Sequence, residues 1–222
     1  MLYTELMPPK NTVKQYKDNT FYHVYNRGVA KQNIFLDEQD YKTFLFYLKL
    51  YLLPKDLQGS TLKVTQSREL KNHAENVQLH TYCLMSNHYH LLIYQKDITG
   101  MNFFMRSLAT KYSMYFNRKY KRVGPVFQGI YKAVEVESEE QFLYLSKYIH
   151  RNPLDILPTG VNLEGYKYTS YLNYLGLIQQ QWVKTDDILN SFNREGSYKS
   201  FVEETDETDV VRIKGLMLDF EE

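Results

Sequence analysis

Apolar and aromatic residues recur along this chain with two periods, two and about 3.6, and the switches between them mark out its elements. Phe21 to Gly28 is rich in aromatic and β-branched residues and closes on glycine, which predicts a first strand. Asp37 is a good helix N-cap, and Tyr41, Phe44, Leu45, Leu48 and Tyr51 or Leu52 follow at helical spacing until Pro54 ends the segment. Residues 54–76 are polar and read as containing a loop. Val77 to Met85 and His88 to Tyr94 read as two strands linked by Ser86-Asn87, a tight-turn pair or a bulge. A second helix starts at Thr99 or Gly100 and runs to about Asn117, with Met101, Phe104, Met105, Leu108, Tyr112 and Tyr115 as its apolar stripe. Arg118 to Arg122 forms a basic loop, and Val126 to Val136 alternates enough for a strand or hairpin. Ser138-Glu139-Glu140-Gln141 has the form of a capping box opening a third helix, which Pro153 stops.

This order of strand, helix, two strands, helix, strand and helix predicts an α+β fold. It fits a ferredoxin-like, RRM-like sandwich: a central antiparallel sheet carrying helices on one face. The length, 222 residues and 26.5 kDa, suits one core with a small appendage. The reading divides the chain into a catalytic domain, residues 1–158, and a partly helical, acidic C-terminal extension, residues 159–222.

Charge sharpens that division. Residues 1–151 carry 21 Lys and Arg against 13 Asp and Glu, a net of +8, while residues 152–222 carry 6 against 13, a net of −7. The first part suits a polyanionic partner, although a moderate excess over 151 residues also suits a solvated surface. Cys83 stands alone in an apolar run, so it closes no internal disulfide and reads as a buried reduced thiol. The N-terminus lacks a basic stretch followed by an apolar core, and the most apolar run, Phe44 to Leu53, is interrupted by Lys49. A cytoplasmic protein is expected. The 21 Tyr and 12 Phe make the chain unusually aromatic, so any one tyrosine has to be singled out by position.

Position singles out two segments. His88 and His90 lie two apart in a predicted strand, so both imidazoles share a face and can meet one divalent metal; a polar patch or a pair of satisfied core groups is the alternative. On the third helix Phe142, Leu145 and Ile149 define the face against the sheet, and Tyr148 and Asn152, four apart, are stacked beside it. Packed across the histidine strand, that helix would bring the Asn152 oxygen near both rings with Tyr148 one turn away. Two nitrogens, an amide oxygen and a phenol are the ingredients of a metal-assisted nucleophilic site. So few anionic ligands favour Mg²⁺ or Mn²⁺ arriving with a phosphate substrate. A phenol of pKa about 10 costs about 4 kcal/mol to ionise at pH 7, which metal charge and positioning must offset.

Five segments, in order over about residues 21–155, resemble the single-tyrosine HUH transposases, particularly the REP-associated tyrosine transposases. They are Tyr22-His23-Val24-Tyr25-Asn26-Arg27-Gly28, Leu84-Met85-Ser86-Asn87-His88-Tyr89-His90-Leu91-Leu92, Tyr115-Phe116-Asn117-Arg118, Gly124-Pro125-Val126-Phe127-Gln128 and Tyr148-Ile149-His150-Arg151-Asn152-Pro153. The resemblance implies that His88, His90 and Asn152 bind the metal and that Tyr148 attacks a single-stranded DNA phosphate, leaving a 5′-phosphotyrosine bond and a free 3′-hydroxyl. It also implies a partner: single-stranded DNA with a REP-like hairpin beside the cleavage sequence. Ser86, where the family often has proline, and Tyr89, where it more often has an aliphatic residue, depart from the pattern. Asn152 rather than glutamine fits the REP-associated branch, which favours a monomer over a homodimer.

Other assignments stay open at this stage. Tyr144 competes with Tyr148 as nucleophile, and His23 is either near the site or a core histidine. His73, His80 and His150 read as surface residues. Arg27, Arg106, Lys111, Arg118, Lys121, Arg122, Lys132 and Arg151 are candidate DNA contacts or solvated charges. A host-adopted hairpin- or single-strand-binding protein with little cleavage is the competing function. A water-using metallohydrolase is disfavoured because Leu91-Leu92-Ile93 follows the histidines where further Asp or His ligands would be needed.

Overall fold

A computed structural model describes residues 16–58, 71–192 and 197–204. Its strands are β1 (Thr20–Arg27), β2 (Val77–Met85), β3 (His88–Gln95) and β4 (Lys132–Glu135), in the antiparallel order β2-β3-β1-β4. Ser86-Asn87 is the two-residue turn of the β2–β3 hairpin, with Met85 opposite His88. Pairing of β1 with β3 sets Arg27 opposite His88, Tyr25 opposite His90 and His23 opposite Leu92. With side chains alternating, His23, Tyr25, Arg27, His88, His90 and Leu92 share one face of the sheet, while Tyr22, Val24, Tyr89, Leu91 and Ile93 point to the other.

The second face is covered by α1 (Glu38–Leu52) and α2 (Gly100–Lys119), whose Phe44, Leu48, Phe104, Leu108 and Tyr112 join the strand residues in one buried cluster. Asp37 starts α1 with a complete capping box to Asp40. Lys119 ties the end of α2 to that start, with Nζ 2.7 Å from both Asp37 and Asp40. Tyr89 is accommodated here between Phe44 and Phe127, so its departure from an aliphatic residue is a packing solution on the face away from the histidines. Ser86 keeps its backbone carbonyl on the amides of Ile34 and Phe35, docking the hairpin turn onto the chain before α1.

The histidine face is covered by α3 (Glu139–Arg151), started by Ser138, whose side chain accepts from the amide of Gln141. Gln141 Oε1 accepts from the backbone amide of Glu137, one residue before the cap. The expected helices on one face are α1 and α2; α3 takes the other because Cys83, Met85 and Leu92 make part of the histidine face apolar and match Phe142, Leu145 and Ile149. Leu145 and Ile149 are fully buried there, each contributing roughly 1.5–3 kcal/mol of transfer free energy.

One expected strand is shorter than its sequence suggests. Val126 to Val136 is strand only over Lys132–Glu135. The preceding residues form a loop anchored by a bridge between Gly28 and Phe127 and turned at Gly124 and Gly129, both with positive φ. The chain after Pro153 packs on α3 and the outer side of β2. Leu163, Tyr171, Tyr174, Ile188, Tyr198 and Val202 share a buried cluster with α3, and Thr169 and Val183 bridge to β2. Most of the polar stretch expected between 54 and 76, and the acidic end beyond residue 204, lie outside the described residues.

Candidate functional site

His88 begins β3 directly after the hairpin turn, and its Nδ1 lies 2.6 Å from Asn87 Oδ1. An amide oxygen only accepts, so Nδ1 carries the proton and Nε2 keeps its lone pair. His90, two residues on, is 1% exposed, with its ring 5.0 Å from that of His88 and perpendicular to it. His90 Nδ1 lies 2.9 Å from Nε2 of the buried His23, and Tyr25 stacks alongside at 5.9 Å. Burial, then the neighbouring rings of His23 and His88, holds His90 well below the ordinary imidazole range. His88 is lowered by burial; a side-chain hydrogen bond in which Asn152 accepts opposes the shift, and the Arg27 charge adds to it. Both rings are therefore neutral near pH 7, which is the form that binds metal.

The helix completes the constellation. Tyr148 on α3 is half-buried, its ring edge-on to His90 at 5.5 Å and to His23 at 6.2 Å. Asn152 caps α3 and opens a short 3-10 turn through Asp155, and its Nδ2 donates to the Tyr148 carbonyl at 2.9 Å. With Nδ2 so engaged, Oδ1 is the amide atom suited to a metal. The donor set is two neutral imidazoles and one amide oxygen, with no carboxylate; among the described residues no group of three His, Cys, Asp or Glu side chains is arranged to hold a metal ion. Such a set fits a divalent ion that completes its shell with oxygen from water and a phosphate.

The Tyr144 ring packs on Phe201 at 5.2 Å, with Lys147 Nζ 5.9 Å from its centre. Of the basic candidates, Arg27 and Lys132 belong to the histidine face, where Arg27 is held by Gln128 at 2.6 Å and Lys132 stands opposite Tyr25. Arg118, Lys121 and Arg122 close α2 and the turn after it, and Arg122 reaches Gln32 at 3.2 Å, near the end of β1 that carries Arg27. Arg106 and Lys111 are on α2, across the sheet from the histidines. Arg151 turns to the C-terminal segment and donates to the carbonyls of Val202, Glu203 and Glu204.

The three histidines read as surface residues are all buried. His73 meets Ser107, His80 meets Asp187 at 2.7 Å, and His150 lies between Tyr198 and Ser170. Sequence reasoning also gave Asn87 no role beyond the turn, and left His23 undecided. The signal for His23 was its alternation with Tyr25 and Arg27 in the first motif, but only the folded sheet shows that it meets His90.

The histidine-bearing antiparallel sheet crossed by a tyrosine helix lies largely within the part of the chain that matches a known family. Residues 60–152 match the family described as "Transposase IS200 like", a stretch of the chain that includes β2, β3, α2 and α3 with His88, His90, Tyr148 and Asn152. Among solved structures, it is similar to one titled "Structure of the REP associates tyrosine transposase bound to a REP hairpin", with a TM-score of 0.50 and 11% identity over 83% of this chain and 94% of that one. At that identity the likeness is one of fold. No curated protein matches the chain. Among the described residues no helix is long and apolar enough to cross a membrane.

Proposed function

We propose that this protein is a transposase, a single-stranded DNA endonuclease and strand-transferase whose nucleophile is Tyr148. What carries the reading is the convergence within one chain of the Tyr148 ring on His90 and of Asn152 on both His88 and the Tyr148 carbonyl. Tyr148 Oη attacks the phosphorus, the bond to the 3′-oxygen breaks, the phenolic proton is lost and the departing 3′-oxygen takes one up. The product is a 5′-phosphotyrosine and a free 3′-hydroxyl. Because the new ester keeps the energy of the old one, attack by a 3′-hydroxyl rejoins strands without a nucleotide cofactor.

His88, His90 and Asn152 Oδ1 would hold a divalent cation, Mg²⁺ or Mn²⁺, which when bound supplies Lewis-acid polarisation of the scissile phosphate. Asn87 and His23 keep one nitrogen of each ring occupied, so the other is presented in a fixed direction. Arg27 and Lys132, on the same face, would engage flanking phosphates. The substrate is hairpin-bearing single-stranded DNA, in line with the REP hairpin bound by the structural relative.

The test mixes the protein with labelled hairpin-bearing single-stranded DNA and Mn²⁺ and looks for a denaturant-resistant adduct. Wild type is expected to form it and Tyr148→Phe to abolish it. Equal adduct from both proteins removes Tyr148 as nucleophile. Binding without any adduct in the wild type favours a hairpin-binding protein.

A further inference from the structure

Tyr148 and Asn152 act as a unit only if the turn between them is held still, and the three intervening residues are each gripped from a different side. Ile149 is fully buried against the sheet. His150 is fully buried in a polar network, its Nδ1 2.7 Å from Tyr198 Oη and its Nε2 2.8 Å from Ser170 Oγ. Tyr198 donates onward to Ser146 at 3.0 Å, and Ser146 to the Leu143 carbonyl at 2.6 Å. One proton order satisfies the chain: His150 Nδ1–H to Tyr198, Tyr198 to Ser146, Ser146 to the backbone, and the Ser170 hydroxyl to His150 Nε2. Arg151 then caps the final carbonyls of α4 (Tyr198–Glu203).

The network is anchored at both ends. Ser170 Oγ also accepts the Tyr82 amide of β2 at 2.9 Å, so His150 is referenced to the sheet that carries His88 and His90. Tyr198 is stacked on Tyr174 at 4.6 Å and edge-on to Phe192 at 5.3 Å, so it is fixed independently of α3.

We propose that the segment after α3 is a positioning device for the Tyr148 helix, with Tyr198 and Ser170 as positioning residues that set Tyr148 and Asn152 against the histidines. The inference rests on Tyr148 being the nucleophile. A helix end free to shift by about an ångström would cost on the order of a hundredfold in rate while leaving DNA contacts on the sheet and loops intact.

The test uses the full chain carrying Tyr198→Phe, which keeps the stacked ring and removes the hydroxyl. At saturating Mn²⁺ and hairpin DNA, the single-turnover rate of adduct formation is expected to fall about 10-fold or more. The hairpin dissociation constant is expected to stay within about twofold, since the altered atom faces α3 and not the DNA. Ser170→Ala removes the other hydroxyl on His150 and gives the same readout should Tyr198→Phe lose its fold. An unchanged rate, even with a lowered melting temperature, overturns the inference and leaves a purely structural segment. If wild type forms no adduct, or Tyr148→Phe forms as much, the nucleophile assignment fails first and takes this one with it.

Discussion

The pairing of His23 with His90 makes a quantitative demand on any metal held at this site. His90 can offer Nε2 in a fixed direction while its Nδ1–H is accepted by His23 Nε2, 2.9 Å away in a region where both side chains are 1% exposed. His23→Leu keeps an apolar body of similar size and removes the acceptor. A buried donor left unmade costs about 1–3 kcal/mol, which for a chain of this length lowers the melting temperature by roughly 2–12 °C. Loss of a partner that orients a ligand costs about 10–100-fold in metal affinity, equivalent to about 1.4–2.7 kcal/mol. His23→Gln restores an acceptor and is expected to recover most of both. The assay is Mn²⁺ titration by calorimetry beside thermal melting, at one pH, for wild type, His23→Leu and His23→Gln. If His23→Leu binds Mn²⁺ as tightly as wild type, the hydrogen bond does not orient a ligand and the two-histidine metal reading loses its support.

Two further predictions address DNA and stability. Arg27→Ala should weaken hairpin binding and reduce the slope of log affinity against log salt by about one unit, while Arg106→Ala, across the sheet, should leave both unchanged; anisotropy titrations at several salt concentrations decide, and equal effects would contradict the assigned DNA face. Asp40 is fully buried; burial alone would raise its pKa, but Lys119, the Leu36 amide and the hydroxyls of Tyr120 and Tyr115 outweigh that and hold it below the ordinary carboxylate range. Asp40→Asn should therefore cost about 1–3 kcal/mol, since Lys119 keeps Asp37 but the amide no longer accepts from all of those donors. Because the folded-state pKa is depressed, the gap in melting temperature from wild type should be full above about pH 5 and should shrink below about pH 4. A gap independent of pH would mean that the carboxylate charge is not what joins α1 to α2.

Local signals were sufficient for most elements. Asp37 and Ser138 cap their helices, Pro54 and Pro153 lie just past them, and Ser86-Asn87 turns the hairpin, because capping and turn formation depend on residues within four positions of one another. The stretch before β4 misled because Val126 and Phe127 are buried by a loop docking against Gly28, and burial in a loop imitates the alternation of a strand. His73, His80 and His150 misled for a related reason: a lone polar residue reads as exposed unless its distant partner is known, and those partners lie 34, 107 and 20 residues away.

The two halves of the site divide along the same line. By itself the sequence determined that His88 and His90 share a face of one strand and that Tyr148 and Asn152 share a side of one helix, since both follow from the repeat of the element that holds them. Only the tertiary structure decided that these two sides meet, that His23 is the partner of His90, and that the C-terminal segment reaches back to grip the turn between Tyr148 and Asn152. Those contacts are set by strand register and by which sheet face offers apolar area to α3, and both are decided between elements far apart in the chain.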